Sequence, residues 1–184
     1  LQELSNVLKW NYLPDPVSNH GDLEKFIYFK RKWINYSYNS LESKEKNSLL
    51  FDLSYSEGAF IAKEDLKSTF LQIRAPYKMP VFVLDKENLM SSFYGLSGLQ
   101  DIDFKEHPDF SKRFFLSGED KKGIRSFFTD DLIFFFESHP LYYIESKGDS
   151  LLIRGKERLA SIQEIKQILA FAEQLIRLLK GKKT

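Results

Sequence analysis

Residues 141–179 constrain the fold more than any other stretch, because they carry the clearest local signals in the chain. Two short runs, at 141–145 and 150–154, are rich in apolar and aromatic residues of the kind that favour strands. Between them, Gly148 accepts a positive φ and Asp149 tolerates turn geometry. The sequence therefore predicts a β-hairpin.

A long amphipathic helix is predicted directly after the hairpin. Ser161 is followed three residues later by Glu164, the capping-box pattern in which each side chain binds a backbone N–H of the first turn. Apolar residues then recur every three or four positions: Ile162, Ile165, Ile168, Leu169, Ala172, Leu175, Ile176 and Leu179. Gly181 ends the pattern. Such a stripe is unfavourable in water, so the helix over 161–179 is predicted to pack across a sheet.

The rest of the chain supplies further short segments. Apolar or alternating runs predict strands at 33–38, 48–56, 67–73, 81–84, 101–104 and 113–116. The run at 81–84 lacks alternation, which indicates burial on both of its faces. Helical patterns occur at 1–10, 87–94 and 119–138.

Together these segments predict a single α+β domain over residues 1–184, an antiparallel sheet with the C-terminal helix packed across it. A partly open barrel capped by that helix, similar to a pleckstrin-homology fold, is the alternative architecture. The chain opens on Leu1 and not on methionine, so we expect it to be a fragment of a longer chain.

Charge and cysteine content exclude several classes of function. The 27 basic and 26 acidic residues are well mixed, so the chain lacks the basic field that favours nucleic acid as a partner. The absence of cysteine excludes disulfides, thiol nucleophiles and thiolate metal sites. No apolar run is long enough to span a bilayer, so contact with a membrane is expected only through an anchor upstream of Leu1.

An acidic segment offers the one metal-like group in the sequence. Its carboxylates and single imidazole suit Mg²⁺ or Mn²⁺ and would support a metal-assisted hydrolase: Asp101, Asp103, Glu106, His107 and Asp109. The other interpretation is a set of polar loop residues beside short strands. That interpretation is preferred, because no second acidic cluster accompanies the first.

The three histidines show no catalytic pairing. His20, His107 and His139 each lie next to glycine or proline in a predicted loop. The sequence identifies no nucleophile or orienting acid to work with them. We therefore predict no cofactor and no resident metal, and a non-catalytic role is favoured over an enzyme.

Five consecutive apolar residues at 132–136 lie inside the predicted helix 119–138. Successive helical side chains differ by about 100°, so such a run faces all around the axis. If the helix is continuous, Ile133 points away from the core face and Phe134 lies to its side. These two residues are therefore predicted to form a surface for self-association or for a protein partner. The alternative is a break at 129–130 that resets the register.

Several short motifs share their order and spacing with a known group of proteins: Phe51-Asp52-Leu53-Ser54-Tyr55, Pro80-Val81-Phe82-Val83-Leu84, Asp101-Ile102-Asp103-Phe104, Phe110-Ser111 and Ile144-Glu145 with Leu151-Leu152-Ile153. In these motifs the chain resembles an uncharacterised family of bacterial proteins, in which transmembrane helices near the N-terminus precede one soluble domain. The resemblance covers most of the chain. It implies a membrane anchor upstream and no activity, so no catalytic residue is carried over. The family tends to have glycines in its first hairpin loop, where this chain has Glu57-Gly58-Ala59-Phe60, so that turn is expected to differ.

The sequence thus favours a non-catalytic interaction or scaffold domain, located in the cytoplasm and either free or tethered to a membrane. Two other functions stay open, the metal-assisted hydrolase and the binding of a small ligand or lipid head group. Lys180, Lys182 and Lys183 could contact anionic lipid, although they also suit the negative end of the last helix.

Overall fold

Eight antiparallel strands form one sheet in the computed structural model, which describes residues 1–17, 23–58, 64–86 and 101–181. The strands are β1 Asn11–Leu13, β2 Trp33–Ser43, β3 Ser48–Glu57, β4 Glu64–Arg74, β5 Val83–Lys86, β6 Phe114–Ser117, β7 Tyr143–Lys147 and β8 Ser150–Arg154. Their order across the sheet is β1-β2-β3-β4-β8-β7-β5-β6. Because β1 and β6 lie at opposite edges, the sheet is open. The antiparallel sheet is confirmed, and it does not close into a complete barrel.

The described residues also contain five α-helices and two short 3₁₀ turns. The helices are α1 Gln2–Leu8, α2 Pro108–Arg113, α3 Lys121–Phe127, α4 Asp130–Glu137 and α5 Ile162–Gly181. The 3₁₀ turns are Leu23–Lys25 and Ile27–Phe29. Of the helices described, none is long and apolar enough to cross a lipid bilayer.

α5 packs across one face of the sheet, as predicted, and completes the main core. Ile165 and Leu169 are both buried. They belong to one apolar cluster with Leu50, Leu71 and Ile153, which lie on β3, β4 and β8. The periodic apolar stripe therefore identified the packed face of the helix correctly.

The start of α5 has the predicted capping box. The N–H of Ser161 donates to the carboxylate of Glu164 at 2.9 Å, and the N–H of Glu164 donates to the hydroxyl of Ser161 at 3.3 Å. The Arg158 guanidinium also binds this carboxylate and, together with the N–H of Ser161, lowers the pKa of Glu164. The helix start is thus satisfied by local residues alone.

The opposite face of the sheet carries a second apolar cluster. It is covered by residues 23–32, here named the strap, which include both 3₁₀ turns. Phe26 and Tyr28 of the strap are buried against side chains of β3, β4, β5, β7 and β8: Phe51, Leu53, Tyr55, Phe70, Val83, Tyr143 and Leu152. On β5, Val83 faces the strap and Leu84 faces the main core. Burial of this strand on both faces is confirmed.

Three local predictions differ from the structure. The region 119–138 is two helices, because Phe128 and Thr129 leave the helical conformation and Thr129 becomes the N-cap of α4. The segment 101–104 is not a strand: the N–H of Ile102 donates to the Leu116 carbonyl, but the N–H of Leu116 donates to the Asp101 carboxylate and not to a backbone oxygen. β2 runs on through the polar stretch to Ser43, where the sequence predicted a connection. The helix predicted at 87–94 lies outside the described residues.

Candidate functional site

The side chains of the acidic segment that the structure describes do not converge on a common site. The Asp101 carboxylate accepts the N–H groups of Ile102 at 2.8 Å and of Leu116 at 3.0 Å, and burial raises its pKa. His107 pairs with Asp130 at 2.9 Å across two helices. Among the residues that the structure describes, no three carboxylate or imidazole side chains come together as metal ligands. Of the residues proposed for a hydrolase, Asp101 thus accepts backbone N–H groups and His107 pairs with α4.

The other histidines add no reactive arrangement. His139 lies just after the end of α4, where its Nδ1 is 2.6 Å from the carbonyl oxygen of Phe135 and its Nε2 is 3.1 Å from Gln174. Its ring also packs against Phe171 of α5. These contacts join α4 to α5. His20 lies outside the described residues.

The structure separates the two residues predicted to form a partner surface. Ile133 is 1% exposed and belongs to the main core, whereas Phe134 is 56% exposed. The reason is the break at Phe128–Thr129, which rotates α4 relative to α3 and turns Ile133 inward. The Phe134 ring contacts His107 edge to face, with centroids 5.2 Å apart. Ile133 therefore does not lie on a surface, and Phe134 is the candidate interface residue.

A polar cluster lies beneath the strap. The Tyr28 ring contacts Arg154 and Lys32, whose cationic groups are 5.1 Å and 4.8 Å from its centroid. The hydroxyl of Tyr28 hydrogen-bonds that of Tyr55 at 2.9 Å. Burial raises the pKa of both phenols, so they stay protonated. The Glu145 carboxylate accepts the N–H groups of two strap residues. These contacts stabilise the strap. None of them activates the two phenols or the carboxylate as a nucleophile.

An open groove of about 420 Å³ lies on the other face of the sheet, beside the C-terminal half of α5. This volume is within the range of small-molecule sites. One wall is a face of α5, from which six residues recur at three- and four-residue spacing: Leu169, Ala172, Glu173, Ile176, Arg177 and Lys180. Leu8 and Trp10, at the end of α1, and the turn between β2 and β3 line the groove opposite the helix. Leu71 and Ile73 of β4 lie buried at its floor, and the half-buried Leu8 and Ile176 present apolar surface to the groove.

The charged lining of the groove is mainly cationic. Lys46, Arg74, Arg177 and Lys180 outnumber the two acids, Glu45 and Glu173, a difference of two charges. Lys46 and Glu173 form an ion pair between the β2–β3 turn and α5. Neither Arg177 nor Lys180 has an ion-pair partner within the described ranges. The groove therefore combines an apolar floor with cations available to a ligand.

Sequence reasoning did not find this groove, because its residues come from α1, a turn, β4 and α5, and share no local motif. The sequence contains only a weak signal for the groove. On the predicted helix, Arg177 and Lys180 lie one turn apart and border the apolar residue Ile176. Only the packed structure shows that this side of the helix faces Trp10 and the β2–β3 turn.

Comparisons with known proteins bear on the fold. No protein-family model matches the sequence, and no curated protein is significantly similar to it. The chain is similar to the crystal structure of the mycobacterial trehalose monomycolate transport factor A, TtfA, with a TM-score of 0.60 over 97% of this chain and 91% of that chain. The two sequences are 10% identical. The similarity therefore shows a fold shared with a bacterial protein, and no residue role is carried over.

Proposed function

We propose that this chain is a non-catalytic binding domain whose groove holds a single-chain lipid. The observation that carries the proposal is the groove beside α5, with its apolar floor and its excess of cationic side chains. The α5 residues that line it extend from Leu169 to Lys180, about 16 Å along the helix axis. One extended acyl chain fits such a shape.

The main chain around the groove favours a lipid over a peptide. β4, which supplies Leu71 and Ile73, pairs with β3 on one side and with β8 on the other. The groove-lining residues of α5 lie inside a continuous helix. The backbone N–H and C=O groups of floor and wall are thus already paired. A peptide would enter with its own polar backbone unsatisfied, at a cost in free energy, whereas an acyl chain carries no such groups.

The similarity to a transport factor agrees with this proposal, because that protein is named for the transport of trehalose monomycolate. The proposal includes the cellular location of the domain. The domain would work in the cytoplasm beside a membrane, tethered by a segment outside these 184 residues, as the family resemblance implies. A tether of this kind would keep the groove within reach of bilayer lipids.

Ile176→Asn is expected to weaken lipid binding about tenfold, since loss of one apolar contact of about 1.4 kcal/mol changes the dissociation constant by that factor. Ile176 is half-buried and lines the groove. Isothermal titration calorimetry with lauroyl lysophosphatidylglycerol, below its critical micelle concentration, measures the change. Ile162→Asn is the matched control on the same helix, because Ile162 is exposed and lies outside the groove. Equal affinities for the two variants, or no binding by the unmodified protein, would exclude the groove as the site.

Phe134 supports a second function, self-association through α4. A phenylalanine that is 56% exposed is a natural anchor for a protein contact. Its position is held by His107, which in turn binds Asp130. We propose that two copies of the chain meet at this residue.

Phe134→Glu is expected to leave the fold intact and to shift the molecule towards the monomer, because a charge replaces the apolar centre of the contact. Light scattering after size exclusion measures the mass, and circular dichroism checks the fold. Ser126→Glu, on an exposed position of α3, is the control for added charge. A folded Phe134→Glu variant with an unchanged mass distribution would rule out self-association through this residue.

A further inference from the structure

We infer that the groove selects lipids with an anionic head group, that Arg177 and Lys180 bind this head group, and that Glu173 limits the selection by competing for Lys46. The inference rests on the proposed lipid site and names its ligand more closely.

Arg177 and Lys180 are placed to act together. They are three residues apart on α5, so their Cα atoms are separated by about one turn of the helix on its groove side. Both side chains are exposed, and neither has an ion-pair partner in the part of the chain that the structure describes. A head group at this end of the groove would meet two cations while its acyl chain covers Ile176. A phosphate oxygen accepts hydrogen bonds from both kinds of side chain.

The ion pair between Lys46 and Glu173 can be exchanged at little cost. Both side chains are about half exposed, at 48% and 45%, and pairs of this kind contribute little to stability. A phosphate near Arg177 can therefore take Lys46 as a third cation. Glu173 opposes the contact between the phosphate and Lys46 in two ways. It pairs with Lys46, and its own negative charge repels the phosphate. Glu173 is thus the specificity-determining residue of the site.

The apolar lining distinguishes a lipid from a free phosphate compound. Leu8 and Ile176, which are half-buried, line the same groove as the cations. A ligand without an acyl chain would contact only the exposed cations, where water and salt compete strongly. Glycerophosphoglycerol, the lysophosphatidylglycerol head group without its acyl chain, carries the same single charge and is therefore expected to bind at least a hundredfold more weakly than the lysolipid.

The test compares two lauroyl lysolipids that differ only in the head group, lysophosphatidylglycerol and lysophosphatidylcholine, by isothermal titration calorimetry with the whole chain. The anionic lipid is expected to bind about tenfold more tightly. Arg177→Gln combined with Lys180→Gln is expected to remove this preference, because it weakens the binding of the net negative lysophosphatidylglycerol more than that of the zwitterionic lysophosphatidylcholine. Glu173→Gln is expected to raise the affinity for the anionic lipid about threefold. The control is Lys122→Gln combined with Lys166→Gln, which removes two exposed cations outside the groove.

The outcomes separate this inference from the proposed function. If both lysolipids bind equally and Ile176→Asn weakens both, the lipid site stands and head-group selection is overturned. Selection by the groove cations is also overturned if the Lys122 and Lys166 control removes the preference as fully as the groove variant. If neither lysolipid binds, the proposed function and the inference fall together. Glycerophosphoglycerol binding as tightly as lysophosphatidylglycerol would assign the cations to a free anion and overturn the lipid ligand.

Discussion

Replacing Glu145 by alanine is expected to lower the free energy of unfolding by roughly 3–5 kcal/mol, because three hydrogen-bond donors in the fold lose their acceptor. The Glu145 side chain is 0% exposed. Its carboxylate accepts the backbone N–H groups of Ile27 and Tyr28 and the hydroxyl of Tyr143. Alanine leaves these donors buried without an acceptor, and each such group costs about 1–3 kcal/mol. Water entering the vacated space recovers part of this loss.

Urea denaturation followed by circular dichroism measures the change in stability, and limited proteolysis measures release of the strap. Glu24→Ala is the matched control, because Glu24 lies in the same strap and is exposed. It is expected to change the free energy of unfolding by less than about 0.5 kcal/mol. Equal unfolding midpoints for Glu145→Ala and Glu24→Ala would show that the carboxylate does not anchor the strap.

The same residue gives the stability a dependence on pH. Burial raises the pKa of Glu145 above its usual value of 4.5, and the hydrogen bonds from Ile27, Tyr143 and Tyr28 offset this only in part. The folded state therefore holds a proton at a pH where the unfolded chain has released it. The stabilisation linked to this proton is complete below pH 4.5 and is lost as the pH rises through the folded pKa. Glu145→Gln cannot titrate, so its free energy of unfolding lacks this dependence on pH. The difference in stability between the unmodified protein and the variant is therefore expected to be largest at low pH and to narrow towards neutrality.

Nothing in the local sequence reveals the anchoring role of Glu145. It was part of a strand that was predicted correctly, but its strap partners lie 117 and 118 residues away. The helix α5 was predictable for the opposite reason. Its capping box joins Ser161 to Glu164, and its apolar stripe repeats within one element. Signals confined to a few neighbouring residues can be read from sequence, whereas a buried polar contact between distant segments depends on the packed sheet.

The division between α3 and α4 shows a second limit of local patterns. The run at 132–136 is compatible with one continuous helix, and no proline or glycine marks the break. The break is set by packing, because Phe128 leaves the helix with a ψ of 72° and its ring enters the core. Ile133 is then buried and Phe134 exposed, an assignment that the apolar run alone leaves open.

Phe128→Ala is expected to lower the free energy of unfolding by about 4–5 kcal/mol, near the upper end for a buried phenylalanine. The side chain is 2% exposed. Its ring is the centre of an aromatic cluster, with centroid distances of 5.0 to 6.3 Å to five neighbours: Phe82, Phe104, Phe110, Phe127 and Phe136. Ring pairs of this geometry contribute about 0.5–1.5 kcal/mol each beyond the area they bury.

The Phe128 ring also joins α3 to α2, to α4 and to the 101–104 segment, so its loss is expected to loosen more than one element. Urea denaturation measures the stability, and the near-ultraviolet circular dichroism signal reports the packing of the rings. Phe134→Ala is the control, since the same atoms are removed from an exposed ring on the neighbouring helix, and we expect a loss below about 1 kcal/mol. Phe128→Leu keeps most of the volume and should lose about 1–2 kcal/mol. If Phe128→Ala unfolds at the same midpoint as Phe134→Ala, the ring does not hold the two helices in place.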